Sequence, residues 1–184
     1  MKISWVVSDN IVLDPTLDIT KIKDIGPIWG SWRTWRNCST DNVICYDKEK
    51  AVELLERQFQ TLCNLYLPDS AYQFLSRPSG VKLFGGDFTQ DIANKDEVVA
   101  LHLAASTSEI ILLLGFNWAS QPKLEDRLEE HKAYVRRQLI RHAISDNQNT
   151  QWVLVDHKLD LMPELTDIPN LTQDTLKNVI SMLG

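Results

Sequence analysis

Nowhere in the 184 residues does an apolar run approach the roughly 20 residues that a membrane helix needs. The N-terminal stretch Met1–Val7 is too short in its apolar part for a secretory leader, and acidic Asp9 follows at once. Cysteine is scarce and odd in number: Cys38, Cys45 and Cys63 have no metal-type spacing and no histidine beside them. Free thiols in a reducing compartment are expected, hence a soluble, cytoplasmic protein. The seven glycines make no GxGxxG and no P-loop, and Gly30-Ser31-Trp32 lacks the GxSxG spacing of a hydrolase elbow. An excess of positive charge is also missing. The formal net charge is -6, which argues against extended nucleic-acid binding and against docking on an anionic membrane. No cofactor motif is present. His131 and His142 share a helix but lie about three turns apart, so they cannot ligate one ion together, and no metal site is expected.

What is present is an ordinary globular composition, with 43% hydrophobic and 24% charged residues, at a length that suits one domain over residues 1–184. Five apolar runs read as strands: Ile3–Val7, Val43–Tyr46, Val81–Phe84, Ile110–Gly115 and Trp152–Val155. The run Ile110–Leu114 is apolar without alternation, as in strands covered on both faces. Helical patterns fill most gaps. From Lys48 to Tyr66 the positions Val52, Leu55, Phe59, Leu62 and Tyr66 form one stripe, with Asp47 as N-cap. A second helix starts near Asn94 with Glu97 in a capping box, and its apolar body ends at Ala105. A third runs from Lys123 to Ser145, acidic first and basic later, so that Lys132, Arg136, Arg137 and Arg141 read as a solvated face suited to the helix dipole. The last follows Thr172.

Alternation of this kind predicts an α/β protein with a three-layer, doubly wound, five-stranded and mostly parallel sheet, Rossmann-like or flavodoxin-like, in the order 2-1-3-4-5. The first crossover is the exception. It is a long irregular connection after strand 1, rich in tryptophan and arginine, in which Asp18–Lys23 or Ile28–Arg36 has room for a short helix or an extra edge strand.

That connection is the most informative segment. Gly26–Arg36 holds Trp29, Trp32 and Trp35 together with Arg33 and Arg36. Long connections in compact domains are usually functional or disordered, and three large aromatics argue against disorder. Spaced three apart, the tryptophans would share one side of a helical turn and could plug a sheet edge. They could equally contact a ligand, since tryptophan stacks on rings and arginine forks match phosphate oxygens.

Ligands of open α/β sheets bind outside the carboxyl ends of the strands. That rim gathers Asp9, Asp47, Gly85, Gly86, Asp87, Asn117, Trp118, Asp156 and His157. In the assumed order Asp9 and Asp87 lie nearest the crevice, as candidates for acid–base work or for accepting ribose hydroxyls. Gly85 and Gly86 permit close approach of a phosphate, and Asn117 lines the same rim.

The expected function is binding of a nucleotide-like, phosphorylated small molecule, with nucleotide-directed transfer or hydrolysis as the reaction such a site would carry. The alternative is a non-enzymatic interaction or homo-oligomerisation module that uses the Trp29–Arg36 loop, because Trp and Arg are typical interface anchors.

Overall fold

The structure is a computed structural model that describes residues 1–9, 19–75, 79–86, 95–116, 127–155, 165 and 167–183. In chain order the elements are β1 (Ile3–Val7), α1 (Ile19–Ile25), β2 (Ile28–Ser31), α2 (Trp32–Trp35), β3 (Asn42–Ile44), α3 (Lys48–Glu56), a 3-10 turn (Phe59–Thr61), β4 (Asn64–Pro68), α4 (Ala71–Phe74), β5 (Lys82–Phe84), α5 (Lys95–Ala105), β6 (Ile110–Leu114), α6 (Arg127–Asp146), β7 (Gln151–Val155), β8 (Leu171–Asp174) and α7 (Leu176–Leu183).

The strands form one eight-stranded sheet in the order β5-β4-β3-β2-β1-β6-β7-β8, and every neighbouring pair is parallel. The chain winds outward from β1 to β5, returns to the middle, and winds outward again from β6 to β8. The α/β class and the parallel sheet expected from the sequence are therefore present, and the winding is consistent with a Rossmann-like arrangement. Among the described residues the sheet has eight strands rather than five.

The three additional strands were hidden for identifiable reasons. β2 is a four-residue strand inside the tryptophan segment and lies between β1 and β3, not at an edge. β4 occupies the end of the apparent Lys48–Tyr66 stripe. The helix stops at Glu56, and Gln58 adopts a left-handed conformation (φ 54°) that breaks the periodicity. Val52 and Leu62 of that stripe are exposed, while Ala51 and Leu54 face the core. β8 is weakly apolar and precedes α7 directly.

The strand order also differs. β5 lies four places from β1, and the switch falls between β1 and β6. Gly85 and Gly86, which follow β5, therefore sit at the outer edge of the sheet and not beside the crevice. Gly86 has φ +138°, a backbone region that favours glycine, and a Cβ there would meet the Tyr46 hydroxyl at 2.9 Å. Its glycine is explained by the turn and by Tyr46, without a ligand.

Alternation along the strands sends side chains to two covered faces. On one face Val6, Trp29, Ile111, Leu113 and Trp152 pack with Ala100, Leu101 and Ala104 of α5 and Ile140, Ala143 and Ile144 of α6. On the other, Trp5, Val7, Ile28, Leu112 and Val155 meet Ile22 of α1 and Leu176 and Val179 of α7. Further along, Val43, Cys45, Leu65 and Leu67 pack with Ala51 and Leu54 of α3.

Trp29 is thus a core residue, stacked at a tilt on Tyr66 with ring centroids 5.2 Å apart. The tryptophans do not share a helical turn, because the backbone changes from strand to helix between Trp29 and Trp32. Gly30 makes that change possible. A Cβ at this position would stand 2.9 Å from Thr34 Cβ, so only glycine lets α2 fold back on β2. Gly30→Ala is expected to lower stability by about 1–3 kcal/mol through overpacking, read as a lower urea midpoint at unchanged slope.

Candidate functional site

Beyond the end of β1 the chain places Ser8 and Asp9 over the carboxyl edge of the sheet. Glu97 in the first turns of α5 is fully buried and receives both of them: its Oε1 accepts from the Ser8 hydroxyl at 2.8 Å and from the Asp9 backbone N–H at 2.7 Å. Arg136 of α6, itself buried, adds Nη2 to Oε1 at 2.7 Å and Nε to Oε2 at 2.8 Å, and also donates to Ser8 at 3.0 Å. Burial pushes the Glu97 carboxyl pKa up, and Arg136 is the main force pulling it back. By local sequence pattern Glu97 is a capping residue and Arg136 part of a solvated helix face. The structure instead joins them as a buried pair, while Asn94 lies outside the described residues.

The Asp9 side chain is 7% exposed. Its Oδ1 accepts from the hydroxyls of Ser31 and, at 2.7 Å, Thr34. Ser31 is also the N-cap of α2. Its Oγ accepts from the backbone N–H of Arg33 (2.9 Å) and Thr34 (3.3 Å), while Thr34 Oγ1 accepts from Ser31 N–H. The same capping box that starts the short helix thereby orients the carboxylate. Asp9 Oδ2 is buried with no hydrogen-bond partner. It faces Arg33 Nη1 at 3.7 Å, and the same nitrogen lies 3.9 Å from Oδ2 of Asp96.

Asp96 precedes Glu97 on α5 and uses Oδ1 to accept the backbone N–H of Tyr46 at 2.8 Å, beyond the end of β3. Its pKa is pushed up to about 7. Burial is the main cause, the Tyr46 N–H opposes it, Asp9 adds to it and Arg33 works against it.

From Arg33 the site continues along α2. The Trp32 ring is approached by three cations: Arg33 (4.7 Å to the centroid), Lys50 of α3 (4.7 Å) and Arg36 (5.0 Å). Trp35 meets Phe59 edge-on with centroids 4.6 Å apart. Together Trp32, Trp35, Arg36, Lys50, Arg57 and Phe59 wall an open groove of about 230 Å³, with Leu62 at its border. Glu53 pairs with Lys50 and Arg57 on the same wall, whereas Arg36 makes no ion pair among the described residues. A larger hollow of about 410 Å³ begins at Asp47, Lys48, Glu49 and Val52. Its described walls are exposed and carry no buried polar group, so the smaller groove is the better candidate.

Of the residues singled out from sequence, Asp9 and Arg33 meet at the strand ends, and Trp32, Trp35 and Arg36 line the adjoining groove. Trp29 belongs to the core, and Gly85 and Gly86 lie at the sheet edge. Asp87, Asn117, Trp118, Asp156 and His157 lie outside the described residues. Ser31, Thr34, Asp96, Glu97, Arg136 and Lys50 complete the site. In the sequence Glu97 carries a capping-box pattern and Arg136 an ordinary helix charge, and Ser31, two residues before Arg33, has the side chain of an N-cap.

All three cysteines are free, and burial raises each thiol, Cys38 to about 11, Cys63 to about 12 and Cys45 further still. None is a ready thiolate nucleophile. Among the described residues no three metal-ligating side chains cluster, and no helix is long and apolar enough to cross a membrane.

The fold and site define an α/β protein with an all-parallel sheet and a carboxylate–arginine cluster on its carboxyl edge. No family model, no curated protein and no solved structure matches the chain.

Two measurements check the electrostatics. Arg136→Met strands Glu97 in the core and is expected to cost about 3–5 kcal/mol, whereas Arg136→Met with Glu97→Gln costs clearly less, both read by denaturant unfolding. Asp96 holds its proton more tightly when folded than its ordinary value of 3.8. Its contribution to stability is therefore complete below about pH 4 and is lost as pH rises to about 7. Asp96→Asn should flatten the dependence of Tm on pH across that window and raise Tm above pH 7.

Proposed function

We propose that the protein binds a nucleotide, or a similar phosphorylated small molecule with a ring, across α2 at the carboxyl ends of β1, β2 and β3. The observation that carries this reading is the gathering of Arg33, Arg36 and Lys50 around the single ring of Trp32. Cations so close repel one another; Glu53 offsets Lys50, and Asp9 with Asp96 offsets Arg33, which leaves Arg36 without an ion pair among the described residues. A phosphate at Arg36 and Lys50 would relieve the repulsion and accept charge-assisted hydrogen bonds. The indoles offer a face for a base, and such stacking is worth about 1–3 kcal/mol.

The groove volume bears on how much of the ligand it holds. At about 230 Å³ it is below the roughly 300–1,000 Å³ of drug-sized sites. It has room for a phosphate or one ring, and the remainder would extend along Arg33 toward Asp9. There the unpartnered Oδ2 is suited to accept a ribose hydroxyl or to take a proton in transfer or hydrolysis at the nucleotide. The Rossmann-like winding adds only that this edge is where such folds hold ligands. The free thiols suit a cytoplasmic setting.

One observation favours the second reading, an interaction or self-association surface. Leu62, on the border of the same groove, is 66% exposed.

Titration with AMP, ATP and their guanine counterparts, followed by tryptophan emission, separates the two. A saturable change in emission is expected. Arg36→Ala with Lys50→Ala should weaken binding by roughly tenfold or more for each side chain, since hydrogen bonds to charged groups contribute about 1.5–3 kcal/mol. No response to any nucleotide, together with a mass that rises with protein concentration, would replace this reading by the second.

A further inference from the structure

We propose that Asp9 and Asp96 form a divalent-cation site, suited to Mg²⁺, beside Arg33 at the carboxyl edge of the sheet. That the cation arrives with the phosphates of a nucleotide rests on the reading above, and with the cation bound Asp9 Oδ2 is its ligand instead of the acceptor for a ribose hydroxyl or a proton. The two carboxylates come from separate elements, the end of β1 and the first turn of α5, and the side chain of each is 7% exposed. Each has one oxygen committed to the fold. Asp9 Oδ1 takes the Ser31 and Thr34 hydroxyls, and Asp96 Oδ1 takes the Tyr46 N–H. Their second oxygens both lie within 4 Å of one nitrogen, Arg33 Nη1.

Arg33 bridges them poorly. At 3.7 and 3.9 Å it balances charge but is too far for the 2.7–2.9 Å typical of charge-assisted hydrogen bonds. Asp9 Oδ2 is left buried with no hydrogen bond although more than nine-tenths of the side chain is covered. A small hard cation would draw both oxygens in to about 2.0–2.1 Å. Mg²⁺ commonly uses one or two carboxylates and completes its shell with phosphate oxygens and water, so two aspartates beside a phosphate groove suffice without a third protein ligand. The hydroxyls of Ser31 and Thr34 and the Tyr46 N–H already hold the carboxylates in orientation, the role of outer-shell groups in metal sites.

Arg33 has somewhere to go. Its side chain is 48% exposed, and its guanidinium already lies over Trp32. Displaced by the metal, it would turn from the carboxylates to the phosphates. In the free protein it acts as a built-in stand-in for the cation.

The test uses Mn²⁺ as probe on the full chain, with free Mn²⁺ counted by its electron paramagnetic resonance signal. One Mn²⁺ per chain is expected. Asp9→Asn and Asp96→Asn, which keep shape and the committed acceptor, should each weaken it by roughly 10- to 100-fold. Arg33→Ala should bind Mn²⁺ more tightly than the native chain, because a competing cation is gone, and a fold damaged by substitution would not produce a gain. The proposal is overturned if neither the native chain nor Arg33→Ala binds Mn²⁺, if both asparagine variants bind as tightly as native, or if Arg33→Ala binds more weakly. Nucleotide quenching that survives chelator, with no bound Mn²⁺, overturns the metal site and leaves the nucleotide reading standing. Mn²⁺ held by the two aspartates with no nucleotide response supports the site and removes its assignment to a nucleotide.

Discussion

Glu97 holds the carboxyl edge of the sheet together. One fully buried carboxylate receives the Ser8 hydroxyl, the Asp9 amide and two nitrogens of Arg136, and so ties the end of β1 to α5 and α6 at one point. A buried charge is tolerated only when paired and hydrogen-bonded, and here the pairing partner and the strand end are supplied by different elements. The positions of Ser8 and Asp9 are set by this contact, because both donate to the same buried oxygen of Glu97. The position of Asp9 then fixes Ser31 and Thr34, and through them the start of α2.

From this anchor the chemistry of the edge follows. Asp9 and Asp96 lie against the same guanidinium but in unlike surroundings. Asp9 is served by two hydroxyls, whereas Asp96 has a single backbone donor and a burial cost that outweighs its place at a helix N-terminus, where charge is ordinarily favoured. Arg33 joins this acidic side of α2 to a basic one, where Arg36 and Lys50 lie over the Trp32 indole and Arg57 lines the same groove. A chain with net charge -6 thus concentrates positive charge in one groove near the buried carboxylates of the sheet edge. That juxtaposition fits a ligand with both an anionic and a hydroxylated or metal-bearing part.

The sequence disclosed those features that depend on neighbours in the chain. The unbroken run Ile110–Leu114 identified β6 as a strand covered on both faces, and the apolar body of Val98–Ala105 identified α5 as an inner helix. Short strands next to helices were illegible. Trp29 and Trp32 look like one helical side until the change of backbone at Gly30 is known, and the stripe from Val52 to Tyr66 continues by coincidence across the left-handed Gln58 into β4. In the site, Asp9 and the arginine–tryptophan segment were visible through residue type. Glu97 with Arg136, and Asp96 with Tyr46, were not, because 39 and 50 residues separate the partners and each alone resembles an ordinary helix charge. Tertiary burial, which no local pattern reports, turns those charges into structure.

The claim that most needs testing is that a ligand lies on α2 and not elsewhere on the molecule. Indole N–H resonances, assigned by replacing each tryptophan in turn, read this position by position. Saturating AMP should shift the signals of Trp32 and Trp35 and leave those of Trp5, Trp29 and Trp152, which are buried in the core, in place. Shifts confined to the three core indoles, or none at Trp32, would contradict the account.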